Sequence, residues 1–338
     1  MIDPRRLRAA WPALAAAAAA LGVLLLGLWF AGLDPLLVLR TAWQGACGSW
    51  GRLAITATEA VPLVLCGLGA ALALRTGTLN IGLEGQCLFG MAAAIGVILA
   101  CPPGLTACLL GLLAGALAGA AWCGVAVALE RGRGVPLVLS TILLNTVAAL
   151  AVGALVQGPL QAPGTAAPET AIIAEASRLP LLAAGTPLHL GALLAVLLAV
   201  VSWLVQERTV LGFELTVAGL NPEAARFAGI PVARRLLITA LGSGALAGLA
   251  GAVQVAGVTW FLSDGARSYG YTGIAVALLA RLHPLGVLAS GLFFAALVVA
   301  ARQLERRLEI PHDLGVVAQG LTVAAVLLAG ALAARRRP

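Results

Sequence analysis

Asn80, Glu84 and Gln86 are out of keeping with their surroundings. They stand in LNIGLEGQCLFG, residues 79–90, where Gly82 and Gly85 separate them and nearly everything else is Leu, Ile, Ala or Gly. A carboxylate and two carboxamides at this spacing can bond the hydroxyls of a ligand, hold a proton, or satisfy backbone groups freed where a helix breaks. An ionised carboxylate at the centre of a membrane helix costs about 2.5–3.5 kcal/mol on insertion scales, so it faces protein or water. Two readings follow. Glu84, Asn80 and Gln86 line a translocation path, or they lock broken helices together, with Glu84 accepting from free N–H groups. Because the stretch closely follows Arg75, it is expected near the inner face.

Other polar residues carry weaker signals. Asn145 is read as an interhelical hydrogen-bonding group or a path-lining one. Glu59 is expected to face water at the outer end of a span. Trp260, Tyr269 and Tyr271 are expected as interface anchors, with Tyr271 also a candidate for the path or its gating. Arg178, Glu169 and Glu175 are expected in a solvated outer loop. The six Cys form no C-x-x-C pair and His189, His283 and His312 lie far apart, so no metal site is expected. Gly242-Ser243-Gly244 lacks the Gly two residues before Ser that an intramembrane serine protease needs, since position 241 is Leu. No catalytic constellation is found.

These residues sit in a chain built for lipid. It is 61% hydrophobic and only 10% charged, with mean hydropathy +1.02, whereas soluble domains are about a quarter charged. The reading is a single all-α domain, residues 1–338, forming a polytopic membrane helix bundle. About ten spans are expected, at 12–33, 53–74, 84–100, 104–129, 137–156, 189–205, 236–256, 271–280, 284–301 and 313–333. The first is read as a retained span. The third is short, and the eighth is too short to cross alone, which marks a half-helix or broken crossing.

All 21 basic residues are Arg, placed in short loops between spans, which favours topology over nucleic acid as their explanation. With the N-terminus inside, fourteen Arg fall on the inner side and seven on the outer, so both termini are expected in the cytoplasm. Residues 157–188 form an external loop and 206–235 an internal one. Gly244, Gly248 and Ala252 place small residues on one helix face for close packing.

Within the internal loop, GLNPEAARFAGI (219–230) reads as a short capped helix. Asn221 caps it, Pro222 fits its first position and Glu223 suits its positive end. Ala224, Ala225 and Ala228 leave a smooth face, and Gly229 stops the helix. Such a helix either docks on a soluble partner or merely joins two spans.

This segment resembles the cytoplasmic coupling segment of bacterial ABC import permeases of the simple-sugar and nucleoside type, within the branched-chain amino acid/ribose-type permease superfamily. TGTLNIGLEGQCLFG (76–90) resembles the same family's Asn-Ile-Gly-x-Glu-Gly-Gln block. LSTILLN (139–145) and GYTGIAVALLARLHPLG (270–286) resemble two more. The four occur in family order, and the resemblance spans roughly residues 45–330. Two positions depart from the pattern: Leu137 stands near the place of a usual Glu, and Ala280 where a Gly is usual.

The resemblance implies a plasma-membrane permease subunit that is not itself an enzyme. It translocates a nucleoside or simple sugar delivered by an external substrate-binding lipoprotein. It pairs with a second permease subunit as a heterodimer, and a cytoplasmic ABC ATPase dimer drives the pair. No G-x-x-x-x-G-K-[ST] loop is present, so ATP-Mg is expected on the partner subunit and no cofactor on this chain. Coupling to the ATPase falls to Gly219, Asn221, Pro222, Glu223, Ala224, Ala225, Arg226 and Gly229. Segments 77–90 and 265–281 are candidate equivalents in two internal repeats. The alternative is a proton-coupled secondary transporter using Glu84.

Overall fold

The computed structural model describes residues 34–265 and 269–308, together with 22, 317 and 320. The expected spans 12–33 and 313–333 lie outside the described residues. Among those described, the chain is helical, and extended pairing is confined to two isolated bridges, Glu169 with Ser263 and Leu181 with His189. The helices are α1 (Pro35–Cys47), α2 (Trp50–Arg75), α3 (Leu83–Ala100), α4 (Leu105–Arg133), α5 (Leu137–Gln157), α6 (Gly191–Arg208), α7 (Val210–Leu220), α8 (Pro222–Phe227), α9 (Val232–Gln254), α10 (Gly270–Leu279) and α11 (Pro284–Leu308).

Seven of the described segments are long and apolar enough to cross a membrane. They are α2, α3, α4, α5, α6, α9 with its π-helical extension Val255–Thr259, and α11. Each matches an expected span. The expected eighth span is α10, whose 10 residues reach only ~15 Å at 1.5 Å per residue, half of a ~30 Å hydrocarbon core. It is a half-helix. Helix α1 was not anticipated, because Arg40, Thr41 and Gln44 interrupt its apolar run.

The chain divides into two compact units, residues 1–56 with 293–338, and residues 57–292. In the first, Asp34 caps α1 by accepting from Leu36 N–H at 2.9 Å, and Gly45 packs against the buried Gln303. The second holds all the candidate site residues. Its centre is the trio α3, α4 and α9. Glycines let these backbones touch: a methyl group on Gly248 would run into the Gly115 carbonyl and the Cα of Gly119. Without a hydrophobic force between helices in lipid, such close approach supplies the packing energy. The outward faces of α4, α5 and α6 stay apolar and exposed, with Leu113, Leu117, Leu143, Leu150 and Leu197 among them.

Candidate functional site

Asn80 and Gln86 form a closed amide pair. Asn80 Nδ2 donates to Gln86 Oε1 at 3.0 Å, and Gln86 Nε2 donates back to Asn80 Oδ1 at 2.9 Å. Asn80 Nδ2 also donates to Ser243 Oγ on α9 at 3.0 Å, and Asn80 Oδ1 accepts from Gly82 N–H at 2.9 Å. Both side chains are buried. The non-helical stretch 76–82 needs these partners, since backbone without a helical ladder survives at membrane depth only where protein satisfies it. Thr141 Oγ1 adds one by accepting from Ile81 N–H at 3.3 Å.

Asn145 ties α5 to the same stretch. Its Oδ1 accepts from Gly85 N–H at 2.9 Å, while its Nδ2 donates to the Ile81 carbonyl and to Tyr271 Oη, each at 3.0 Å. Tyr271 brings in the half-helix α10. Its backbone N–H donates to Glu84 Oε2 at 3.2 Å. Gly270, the first residue of α10, rests directly on the backbone of Leu83 and Glu84, where any Cβ would clash. The starts of α3 and α10 therefore abut, and the Glu84 carboxylate lies at the positive end of α10. The 76–82 stretch is irregular backbone leading into α3.

The cluster lies well along the helices that hold it. Ser243 stands eleven residues beyond Val232, the start of α9, and Asn145 eight beyond Leu137, the start of α5. At 1.5 Å per residue these are ~16 and ~12 Å from the helix starts. Gly77, with φ of 71°, turns the chain after Arg75. It climbs back between the helices, so Leu83 packs at Gly69.

The aromatic residues are not simple interface anchors. Tyr271 lies in this central cluster, with its ring half exposed, because α10 starts against Leu83 and Glu84. Tyr269 is buried and its hydroxyl donates to Glu59 Oε1 at 3.5 Å. Glu59 is 7% exposed, so it does not face water as expected. Trp260 stands at the end of the π-helical extension of α9, and the Arg178 guanidinium covers its ring at 4.1 Å. Arg178 is thus packed, not a free loop charge. The outer loop is strapped on by Ile173 N–H to the Trp260 carbonyl at 2.8 Å and Leu179 N–H to the Ala256 carbonyl at 3.0 Å.

The inner loop folds as α7 and α8. Asn221 Oδ1 accepts from Ala224 N–H at 3.0 Å, Pro222 occupies the first turn, and Glu223 and Arg226 suit the two helix ends. Gly229 takes φ of 77°, and Ile230 N–H returns to the Ala225 carbonyl at 2.9 Å, closing the C-terminus. Ala225 is fully buried against Ala218, Ile230 and Val232. This turns Phe227 outward, 94% exposed, beside an equally uncovered Leu220 at 79%. An Arg235–Glu214 ion pair joins α9 to α7, and Arg75 pairs with Glu207 at 2.6 Å.

One contact links the two regions. Gly219, at the end of α7, lies against the backbone of Thr76 and Gly77, the root of the 76–82 stretch. The candidate residues therefore fall into two groups: Asn80, Glu84, Gln86, Asn145 and Tyr271 in one cluster, and 219–229 beneath it. Thr141, Gly77 and Phe227 belong with them but were not singled out; Ser243, rejected as a nucleophile, belongs too as a hydrogen-bond partner. Phe227 carried a signal, the one aromatic side chain in GLNPEAARFAGI. Leu137 is buried in an apolar cluster with Cys123, Val127 and Ala240. His283 serves its turn by accepting from Gly286 N–H at 3.4 Å. No group of three metal-ligating side chains occurs among the described residues.

A bundle of apolar helices around a junction of broken helices is the architecture of a membrane transporter subunit. The chain belongs to the family described as branched-chain amino acid transport system / permease component, whose pattern matches residues 52–327. It is 35% identical over 332 residues to a glucose ABC transporter permease protein, TsgB13, of Haloferax volcanii, covering 92% of this chain and 86% of that one. It is 33% identical to the guanosine ABC transporter permease protein NupP of Bacillus subtilis, over 80% of this chain and 79% of the relative. It is 31% identical to the nucleoside ABC transporter permease protein NupB of Lactococcus lactis, over 80% and 78% respectively. The chain is a multi-pass plasma-membrane permease subunit of an ABC transporter.

Proposed function

We propose that this permease imports a nucleoside or simple sugar handed over by an external binding lipoprotein. The names of its relatives support those two substrate classes. A cytoplasmic ATPase dimer carrying ATP-Mg drives the cycle, and this chain binds no cofactor. It works as a heterodimer with a second permease. It forms one permease domain with ten crossings, both termini in the cytoplasm.

The observation that carries the reading is the contact of Gly219 with Thr76 and Gly77. The ATPase docks on α8, chiefly on Phe227, with Glu223 and Arg226 setting the register. Its closure displaces α7 and α8, and the displacement passes through Gly219 to the 76–82 stretch. That stretch carries Asn80, and through Asn80 and Gln86 it moves the start of α3. Glu84 then releases or recaptures the N-terminus of α10, and the exposed Tyr271 gates the path. In this account Glu84 is a lock. Its carboxylate is engaged with a helix N-terminus, and nothing favours its use as a proton carrier.

The test is uptake of labelled guanosine and glucose by proteoliposomes holding the whole assembly. Uptake of either that requires binding protein and ATP supports the proposal. Uptake that follows an imposed pH gradient without the ATPase overturns it.

A further inference from the structure

A cavity of about 450 Å³ opens where the ends of α4, α5 and α9 meet the 76–82 stretch and α8. This volume is ordinary for a ligand site, about 300–1,000 Å³. It is separate from the polar cluster, and it shares Gly77 and Arg226 with the coupling route proposed above. Its inner wall is apolar, with Leu137, Leu237 and Ala240, and its charged rim carries Arg131, Arg226 and Glu130. Neither Arg has a carboxylate within ion-pair distance among the described residues. Arg131 gives one N–H to the Ala233 carbonyl, which points its guanidinium across the mouth. Thr78 also lines the cavity, 6% exposed, with a hydroxyl that has no hydrogen-bond partner among the described residues. A buried hydroxyl left without a partner normally has one supplied by something else.

We infer that this cavity holds the headgroup of an anionic phospholipid from the cytoplasmic leaflet. Two arginines against one glutamate leave a net positive rim, and basic pockets between spans on the cytoplasmic side suit anionic headgroups. The unpartnered Thr78 hydroxyl supplies a donor for a phosphate oxygen. The lining has no aromatic ring and no carboxamide, so it has nothing to read a base with. Leu79, exposed to solvent or lipid, lines the same cavity and gives the acyl chains an apolar surface to lie on. Because Arg226 and Gly77 share the cavity, the lipid headgroup touches both α8 and the stretch that it must move.

The experiment is native mass spectrometry of the solubilised full chain after exchange into phosphatidylglycerol or phosphatidylcholine. The protein retains phosphatidylglycerol over phosphatidylcholine. Arg131→Gln lowers that retention about fivefold, the effect of one basic residue near an anionic surface, and Arg131→Lys restores it. Leu237→Trp fills the cavity and abolishes retention, which tests the site independently should Arg131→Gln not fold. Equal retention by wild type and Leu237→Trp overturns the proposal. Displacement of the lipid by inorganic phosphate also overturns it, assigning the site to free phosphate.

Discussion

The backbone N–H of Tyr271 donates to Glu84 Oε2 at 3.2 Å, so the carboxylate at the start of one helix caps the start of another. The half-helix α10 is too short to cross the bilayer, and its unpaired N–H groups lie at membrane depth. A negative group there is stabilising by about 0.3–1 kcal/mol, and up to about 2 kcal/mol where partly buried. That is strong enough to hold one state and weak enough to be broken by ATPase closure.

Replacing Glu84 with Gln keeps an acceptor but removes the charge. The protein is expected to insert and fold, with uptake reduced severalfold and ATP hydrolysis retained. Glu84→Ala, which also removes the acceptor, is expected to be worse. Fluorescence-detected size exclusion separates folding from transport here. Wild-type uptake in Glu84→Gln would remove the lock from the mechanism.

Asn145 bonds two backbone groups and one hydroxyl. Asn145→Ala leaves the Gly85 N–H and the Ile81 carbonyl unpaired, at about 1–3 kcal/mol each. A clear drop in thermal midpoint is expected. The neighbouring Thr146→Ala, on the exposed face of α5, serves as control with little change. Equal midpoints for the two variants would mean that other groups or water replace Asn145.

Much of this was legible before any coordinates. The apolar runs located the seven described spans, because lipid forces each crossing to be long and apolar. Asn80, Glu84 and Gln86 stood out because polar groups in such runs are costly. The arrangement of their partners was not legible. It depends on the turn at Gly77 and on Ser243, which is 163 residues from Asn80 in the chain. Phe227 was hidden for a similar reason: its exposure follows from Ala225 being the residue that faces inward. Helix α1 escaped because its length and mixed composition match no span.

His189 offers a pH-dependent readout of stability at the start of α6. Its Nδ1 accepts from Gly191 N–H at 3.1 Å, while Nε2 is buried against Gly257 with no partner among the described residues. Burial pushes its pKa down to about 4, from the ordinary 6.5. The unfolded chain therefore binds a proton below about pH 6.5 that the folded chain refuses until about pH 4. Stability is full above pH 6.5 and lost as pH falls through that window, by at most on the order of 3 kcal/mol. His189→Asn preserves an acceptor for Gly191 and cannot titrate. Its thermal midpoint is expected to fall less than that of wild type between pH 7 and pH 4.5. Parallel curves would show that His189 does not carry the acid sensitivity.

The contact of Gly219 with Thr76 and Gly77, and the bare ring of Phe227, separate docking from transmission. Phe227 is almost wholly exposed, so Phe227→Ala should change the chain's own stability by no more than about 0.5 kcal/mol. If the ring is a docking anchor, its loss costs 2 kcal/mol or more of binding, about a 30-fold weaker ATPase complex. Gly219→Val acts at the other end of the lever. Its side chain cannot fit against the Thr76 backbone, so α7 and α8 are pushed off the 76–82 stretch while Phe227 stays presented. The ATPase is then expected to bind and hydrolyse ATP, with little substrate moved per ATP. Co-purification measures the first effect, and the ratio of uptake to hydrolysis measures the second. If Gly219→Val keeps the wild-type ratio, the movement reaches Glu84 by another route, with Arg235–Glu214 between α9 and α7 the next pair to break.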